Sequence, residues 1–575
     1  MAALSASKKA VINGVLAGVR SASSRPRQHS FAASLARQIT AFCACAAPLT
    51  TMHTHLIIIA SIAPVINALQ TPPRKKVVVV GAGWAGLSTA WTLSKNNVDV
   101  TLVDAAARPG GVVRDGFKTR GGRPAEAGQH GFWEEYFNIY KLLDELKLEE
   151  DPLTGYAEQG QYSPQGLEAI WPVYRDKQNL PTGLAQARYT RFLKLSPLDL
   201  ATAAPLVAAF SEFLSDDGAW RRYDELSFRD LCTKLGVSRK LYREAFEPMI
   251  LTGLFAPGEQ CSAAAALGMA YFFVLKSQTA FDVRWCRGNI GDLIFAPWCD
   301  QLRERGVTLQ FDTRIEGVEL DGDTVTAVKA AGETIPCDDI VFAVGMRALK
   351  GLAKSPALAS RDEFRRFGNL RGTDVLATRL FFDRDVETPY SANACWGFDD
   401  KVGQTWFDLK KLHAPRLDDE PGAVVEVDYY HAGSLLGLSD AELEAKARRD
   451  LETMVPAFKS AELVDAAVVR LPEAVNWYFP GSYQSCPTTE SESLRNAYFA
   501  GDVVRDLGHG SWSQEKAYVS GVAAANRVLG RSALDGVESL RPDEPHVAAG
   551  AAAAKALRRV FSFGGDGPSL ASVPW

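Results

Sequence analysis

The run Lys75-Lys-Val-Val-Val-Val80, followed at once by Gly81-Ala-Gly83-Trp-Ala-Gly86, constrains this chain more than any other feature. Four consecutive valines with turn glycines behind them predict a central parallel strand buried on both faces. The glycines lead into Leu87–Lys95, where apolar residues recur at helical spacing. In such a strand-turn-helix unit Gly81 permits the tight turn, Gly83 lets a pyrophosphate approach the main chain, and Gly86 allows close packing of helix on strand. The helix start, with Trp84 and Ala85, then faces the phosphates. Three spaced glycines alone are a weak signal. Here a second apolar strand follows, and its last residue, Asp104, stands 18 residues beyond Gly86. An acid at that distance, with Ala105 beside it, suits the ribose hydroxyls of a dinucleotide. The prediction is an α/β, Rossmann-type fold.

Beyond Asp104 come Arg108-Pro-Gly110-Gly111 and then Glu126-Ala-Gly128-Gln-His130-Gly-Phe132. A Gly-Gly pair after the ribose acid, followed by Glu-x-Gly-x-His-x-Phe, resembles the superfamily of flavin amine oxidases and carotenoid desaturases. The resemblance resumes at Asn496-Ala-Tyr-Phe-Ala-Gly501-Asp502, a short strand ending in Gly-Asp, and at Ser513-Gln-Glu515-Lys516-Ala517, which opens a helix. It implies FAD as the cofactor, with Asp502 bonding the ribityl chain and the helix start facing the isoalloxazine. A helix N-terminus there stabilises negative charge on the reduced ring. Two positions depart from the family pattern. Lys516 stands where glycine is common, either as a surface lysine or as a positive charge near phosphate or flavin. Val112 and Val113 follow the Gly-Gly pair in place of a basic residue, which leaves Arg114 as a substitute.

A third piece, Gly306–Leu320 and Ile335–Gly345 around the Asp321-Gly-Asp turn, has the alternation of a β-meander. It resembles the strands by which the family crosses the adenosine, with Ile315 at the adenine. A discontinuous FAD-binding domain with a parallel sheet and β-meander is therefore expected at 75–160, 284–350 and 490–532. An interleaved α+β substrate domain is expected at 161–283 and 351–489, and a tail at 533–575. That tail reads as a linker and one basic, partly apolar helix.

The first 98 residues hold no Asp or Glu, while Lys8, Lys9, Arg20, Arg25, Arg27 and Arg37 sit among Ala and Ser. Residues 1–74 are expected to be a targeting peptide, removed on import, with a possible signal peptide at 52–68 and translation starting at Met1 or Met52. A signal-type core ahead of a short basic stretch resembles a plastid address. A net charge of −5 gives no electrostatic reason to expect nucleic acid. The nine cysteines form no C-x-x-C pair, and no histidine spacing suits a metal.

No hydrolytic triad or acid pair is marked by spacing, as suits a reaction carried by the cofactor. Glu126 and His130 are candidates for assisting proton loss or are structural hydrogen-bonding residues. Trp477 and Tyr478 fall where amine oxidases place an aromatic cage, but equally suit buried sheet aromatics. The apolar segments Leu195–Val207 and Phe246–Phe273 resemble the zeta-carotene desaturase branch in order and spacing. They would line a tunnel for a long hydrocarbon or pack as plain core. The leading expectation is an FAD-dependent desaturase or isomerase acting on a carotenoid-like polyene, peripherally on a plastid membrane, with a quinone or other acceptor. The alternatives are an amine oxidase using oxygen and a non-catalytic prenyl or lipid escort protein.

Overall fold

The computed structural model describes residues 74–215, 218–507, 513–561 and 569–572. The expected targeting peptide and its internal start lie outside them. Lys75–Trp575 make one unit, and the fold below is that of this unit.

Strand β1 (Lys76–Val80) sends alternate valines to opposite faces, so a run of four must be covered on both sides. Val77 and Val79 enter one hydrophobic core while Val78 and Val80 enter another. Each buried valine contributes on the order of 1.5–3 kcal/mol. Helix α1 (Trp84–Ser94) covers the first face and returns the chain to β2 (Asp99–Val103), which pairs parallel with β1. Thr308–Gln310, Asp339–Phe342 and Ala497–Phe499 complete a five-stranded, wholly parallel sheet, with β1 at its centre. These strands come from three separated stretches of chain, as the sequence motifs require. The antiparallel meander Ile315–Asp321, Thr324–Ala330 and Glu333–Pro336 packs on the second face.

The helix Gln514–Val528 lies so close on α1 that a Cβ at Gly521 would sit 2.1 Å from the Ala85 carbonyl oxygen. Ser88 and Thr89 use the contact to donate to the carbonyls of Tyr518 and Gly521. The chain between the cofactor stretches builds an eight-stranded mixed sheet. Its order is Leu463–Asn476, Gly372–Phe382, Val424–Tyr430, Gly403–Asp408, Ala392–Cys395, Gln159–Ser163, Gly166–Trp171 and Arg191–Phe192. Of the short helices between Leu184 and Ala270, Glu247–Leu254 packs on this sheet, while most of the others join the first core.

The chain beyond Gly530 differs from the expected linker. Asn526 donates to the Ala533 and Asp535 carbonyls, Lys276 pairs with Asp543 at 2.6 Å, and Arg541 pairs with Glu134 at 2.8 Å. The tail helix Pro545–Phe561 then packs on the helix Ala204–Phe213. The physical reason is a set of polar groups on the body, including Asn138 and Lys276, whose partners are in the tail.

Candidate functional site

At the carboxyl ends of the parallel strands lies a groove of about 1030 Å³. The first βαβ unit lines it with Gly81, Gly83, Trp84, Ala85, Asp104 and Ala105, and the next loop adds Gly110 and Gly111. Ile315 comes from the meander, and Gly501, Asp502 and Ala517 come from the far end of the chain. Asp104 fixes the loop from below: one carboxylate oxygen accepts from Ala82 N at 2.6 Å and the other from Ala106 N at 2.7 Å. Burial pushes its carboxyl above the usual range, and these two N–H bonds oppose that shift. Two helix N-termini meet at the groove, tied by Trp84 Nε1 donating to Gln514 Oε1 at 2.8 Å.

Of the residues in the cofactor motifs, three lie away from the groove wall, while Gly86 has the packing role that its place in the motif predicts. Gly86 faces the sheet, where its absent side chain leaves room for the Gly81 carbonyl. A Cβ on Gly128 would be 2.8 Å from an Asp428 carboxylate oxygen, so this glycine makes space for an acid on the mixed sheet. Lys516 is buried, neither at the surface nor in the groove wall. Asp502 supports its charge while burial lowers its pKa.

Glu515 is turned away from the groove to cap the helix Phe137–Leu146. Its carboxylate accepts from Asn138 N, Asn138 Nδ2 and Ile139 N at 2.8–3.0 Å. The two main-chain N–H groups are orphan donors of a helix N-terminus, so a buried carboxylate is the fitting partner. Burial nevertheless pushes the Glu515 carboxyl up to about 7. Glu515→Ala strands the main-chain N–H groups of Asn138 and Ile139, leaves Asn138 Nδ2 only its bond to the Glu538 carbonyl, and is expected to cost about 3 kcal/mol, seen as a lower urea midpoint at unchanged slope.

A second cavity, of about 330 Å³, adjoins the groove through Val112, Val113, Asn476, Asp502 and Gln514. Pro248, Met249, Leu254, Phe255, Met269 and Phe273 cover it, and Trp133, Trp171, Phe281, Trp285 and Phe407 add an aromatic wall. The mixed sheet forms its floor with Gln161, Thr405, Asp428 and Tyr430. The apolar segment Phe246–Phe273 thus both packs in the core and lines a chamber. His130 and Tyr478 line the chamber too. Burial and the nearby Arg379 lower the His130 imidazole to about 3 and keep it neutral. Tyr478 donates its hydroxyl to the Asp502 carbonyl, and Trp477 donates to the Gln260 carbonyl outside the chamber. The pair does not form a cage at this cavity.

Glu126, the remaining acid candidate, does not line the chamber. It sits behind it, paired with Arg379 at 3.0 Å and accepting from Ile290 N at 3.1 Å. Arg379 also clamps Glu426. Burial pushes Glu126 up to about 7. Sequence reading missed Arg379, Glu426 and Asp428. The available signal was the strand Ala423-Val-Val-Glu-Val-Asp-Tyr-Tyr430, where alternation puts Glu426, Asp428 and Tyr430 on one face.

The groove fits FAD: main chain without Cβ at its turn, helix starts aimed at it, and an acid at the end of the second strand. The sequence pattern of flavin-containing amine oxidoreductases matches residues 84–529. The chain belongs to that family. It is an FAD-dependent oxidoreductase, in place of the non-catalytic escort alternative. Among curated relatives of this flavin enzyme, the 15-cis-phytoene desaturase of Arabidopsis thaliana is 24% identical over 453 residues, 75% of this chain and 76% of that protein. The zeta-carotene desaturase of the same plant is 22% identical over 472 residues, 75% of this chain and 82% of its own. Cyclohexylamine oxidase from Brevibacterium oxydans shares the fold at a TM-score of 0.59 and 14% identity, over 80% of this chain and 100% of that one. Putrescine oxidase bound to putrescine does so at 0.56 and 15%, over 80% and 99%.

Proposed function

We propose that this flavoenzyme is a carotenoid-type desaturase or isomerase, acting on a polyene at a plastid membrane. The observation that carries the reading is the apolar chamber opening directly onto the cofactor groove. Such a chamber receives a hydrocarbon segment and excludes the water that would compete for a reactive flavin. A volume of about 330 Å³ takes part of a long polyene rather than the whole of it. The desaturase names of the curated relatives favour the same substrate class.

The glycine loop, Asp104, Asp502 and the start of the Gln514–Val528 helix would hold FAD, with Ile315 at the adenine end. Bound there, FAD would supply a two-electron oxidant for hydride abstraction. The chain's own part is to orient the substrate between the helical cover and the sheet. His130, neutral at the chamber wall, would assist proton loss as a hydrogen-bonding group, since an imidazole held near 3 does not keep a proton at neutral pH. Glu126, already committed to Arg379 and Ile290, acts through the buried ion cluster.

Membrane contact is supported by Leu184, Leu193, Leu198 and Val207, all exposed on the short helices and loops at the first substrate segment. Leu557 and Val560 are exposed on the tail helix packed beside them, and Arg188, Arg191, Lys194 and Arg559 are exposed around them. Such a surface suits a monolayer with anionic headgroups. Among the described residues no helix is long and apolar enough to cross a membrane. Electrons would leave to a quinone or another membrane acceptor.

The test is anaerobic bleaching of the purified FAD-loaded protein in liposomes with a polyene panel, and separately with amines, followed by flotation. Bleaching or turnover with polyenes and co-flotation with anionic vesicles are expected. Bleaching by amines alone would replace this reading with the amine oxidase one.

A further inference from the structure

The floor of the chamber is more polar than a hydrocarbon requires. Along the strand Val424–Tyr430, the residues Val425, Val427 and Tyr429 enter a hydrophobic core while Glu426, Asp428 and Tyr430 take the opposite face. Strand register sets Gln161, Ala394, Thr405 and Asp428 in one row across the sheet. The first and third are satisfied: Gln161 donates to the Glu244 carbonyl at 2.7 Å, and Thr405 shares a hydrogen bond with the Tyr430 hydroxyl at 2.8 Å.

Asp428 is not. It is 3% exposed and lines the chamber. Its Oδ2 accepts from Gln129 N at 3.3 Å, while its Oδ1 has no hydrogen-bond partner among the described residues. The nearby cation, Arg379, is committed to Glu126 and Glu426. His130, which follows Gln129, also lines the chamber, and its Nε2 is buried without a hydrogen-bond partner among the described residues. Burial and the neighbouring Glu426 push the Asp428 carboxyl well above its usual range, which favours the protonated form, a hydrogen-bond donor. A buried polar group without a partner is costly, and a ligand oxygen would relieve it.

We propose that Asp428, with His130 in the same chamber, recognises an oxygen function, a hydroxyl or carbonyl, on an otherwise apolar polyene. The assignment rests on the polyene reading above and narrows it from hydrocarbons to oxygenated polyenes. A pure hydrocarbon would leave both polar atoms unpaired, and a site built around such groups discriminates strongly against a ligand that lacks the partner.

The experiment compares the FAD-loaded wild type with Asp428→Leu and Asp428→Asn. The probes are a polyene hydrocarbon and its hydroxylated and keto counterparts of equal chain length, presented in the same vesicles. Dissociation constants come from quenching of protein fluorescence, and anaerobic bleaching is followed in parallel. The wild type is expected to bind the oxygenated ligands at least about 10-fold more tightly, one good hydrogen bond. Asp428→Leu should bring the two ligand classes together, while Asp428→Asn, which can still donate and is nearly isosteric, keeps part of the preference. Retained FAD certifies the fold of each variant. Equal wild-type affinity for both classes, or a preference surviving in Asp428→Leu, overturns the assignment while leaving the polyene reading in place. Binding of neither class, with bleaching by amines, removes that reading and the assignment together.

Discussion

A Gly86→Val variant is expected to yield no folded, flavin-loaded protein, whereas Gly83→Val is expected to fold and purify colourless. The two positions lie three residues apart in one loop but meet different surroundings. A Cβ on Gly86 would stand 1.8 Å from the Gly81 carbonyl oxygen and 2.9 Å from its carbon. Both are main-chain atoms, and Gly81 cannot retreat because its own Cβ position already lies 2.2 Å from the Ala343 carbonyl oxygen. The loss should exceed the ~1–3 kcal/mol of ordinary overpacking, since no side chain can turn aside. At Gly83 the nearest atom is 3.7 Å away, and φ is −83°, which any residue adopts. A side chain there extends into the groove and excludes the pyrophosphate without disturbing the fold. Circular dichroism and visible flavin absorbance, read on both variants, separate the two effects. A yellow Gly83→Val would remove this loop from the cofactor site, and a well-folded Gly86→Val would contradict the tight packing of helix on sheet.

Arg379→Met should cost about 3–5 kcal/mol near pH 8 and clearly less near pH 5. Arg379 is 5% exposed and neutralises Glu126 and Glu426, each about 1% exposed. Without it, two buried carboxylates and Asp428 have no cation, and they can escape only by taking up protons. The direction follows from linkage. An acid whose folded pKa is raised binds its proton more tightly in the folded state, so stability is fully present below the unfolded value and is lost as pH rises through the folded one. For Glu126 in the wild type that window runs from the ordinary carboxyl value of 4.5 to about 7. Removing the cation shifts it higher, so the penalty grows with pH. Urea titrations at the two pH values measure this, and an equal loss at both would show that the acids are not titrating.

The parts legible in the sequence are those whose chemistry is local. A phosphate-binding turn needs glycines at fixed offsets, a buried parallel strand needs an unbroken apolar run, and a ribose acid needs a set distance from the loop. Gly81, Gly83, Asp104, Gly110 and Gly111 satisfy these rules within about one supersecondary unit, and all of them line the groove. Ile315, Gly501 and Asp502 were reached through family resemblance and come to the same groove. Glu515 was misjudged because the first turn of a helix beside a flavin suggests an electrostatic role, while its actual partner is Asn138, 377 residues earlier. Gly128 was misplaced likewise, and Glu126, left open between a catalytic and a structural role, takes the structural one. Their neighbours Asp428 and Arg379 belong to strands of another segment, Arg379 lying 253 residues beyond Glu126.

The sequence by itself determined the nucleotide fold, the cofactor and the family, because main-chain geometry around phosphates is written in residues adjacent along the chain. Only the tertiary structure decided which acids are spent on helix caps and ion clusters and which reach the chamber. It also decided that the tail is docked and that the chamber has a polar floor. Burial and partnership depend on what lies across a sheet or beneath a helix, and neither is a property of neighbours in sequence.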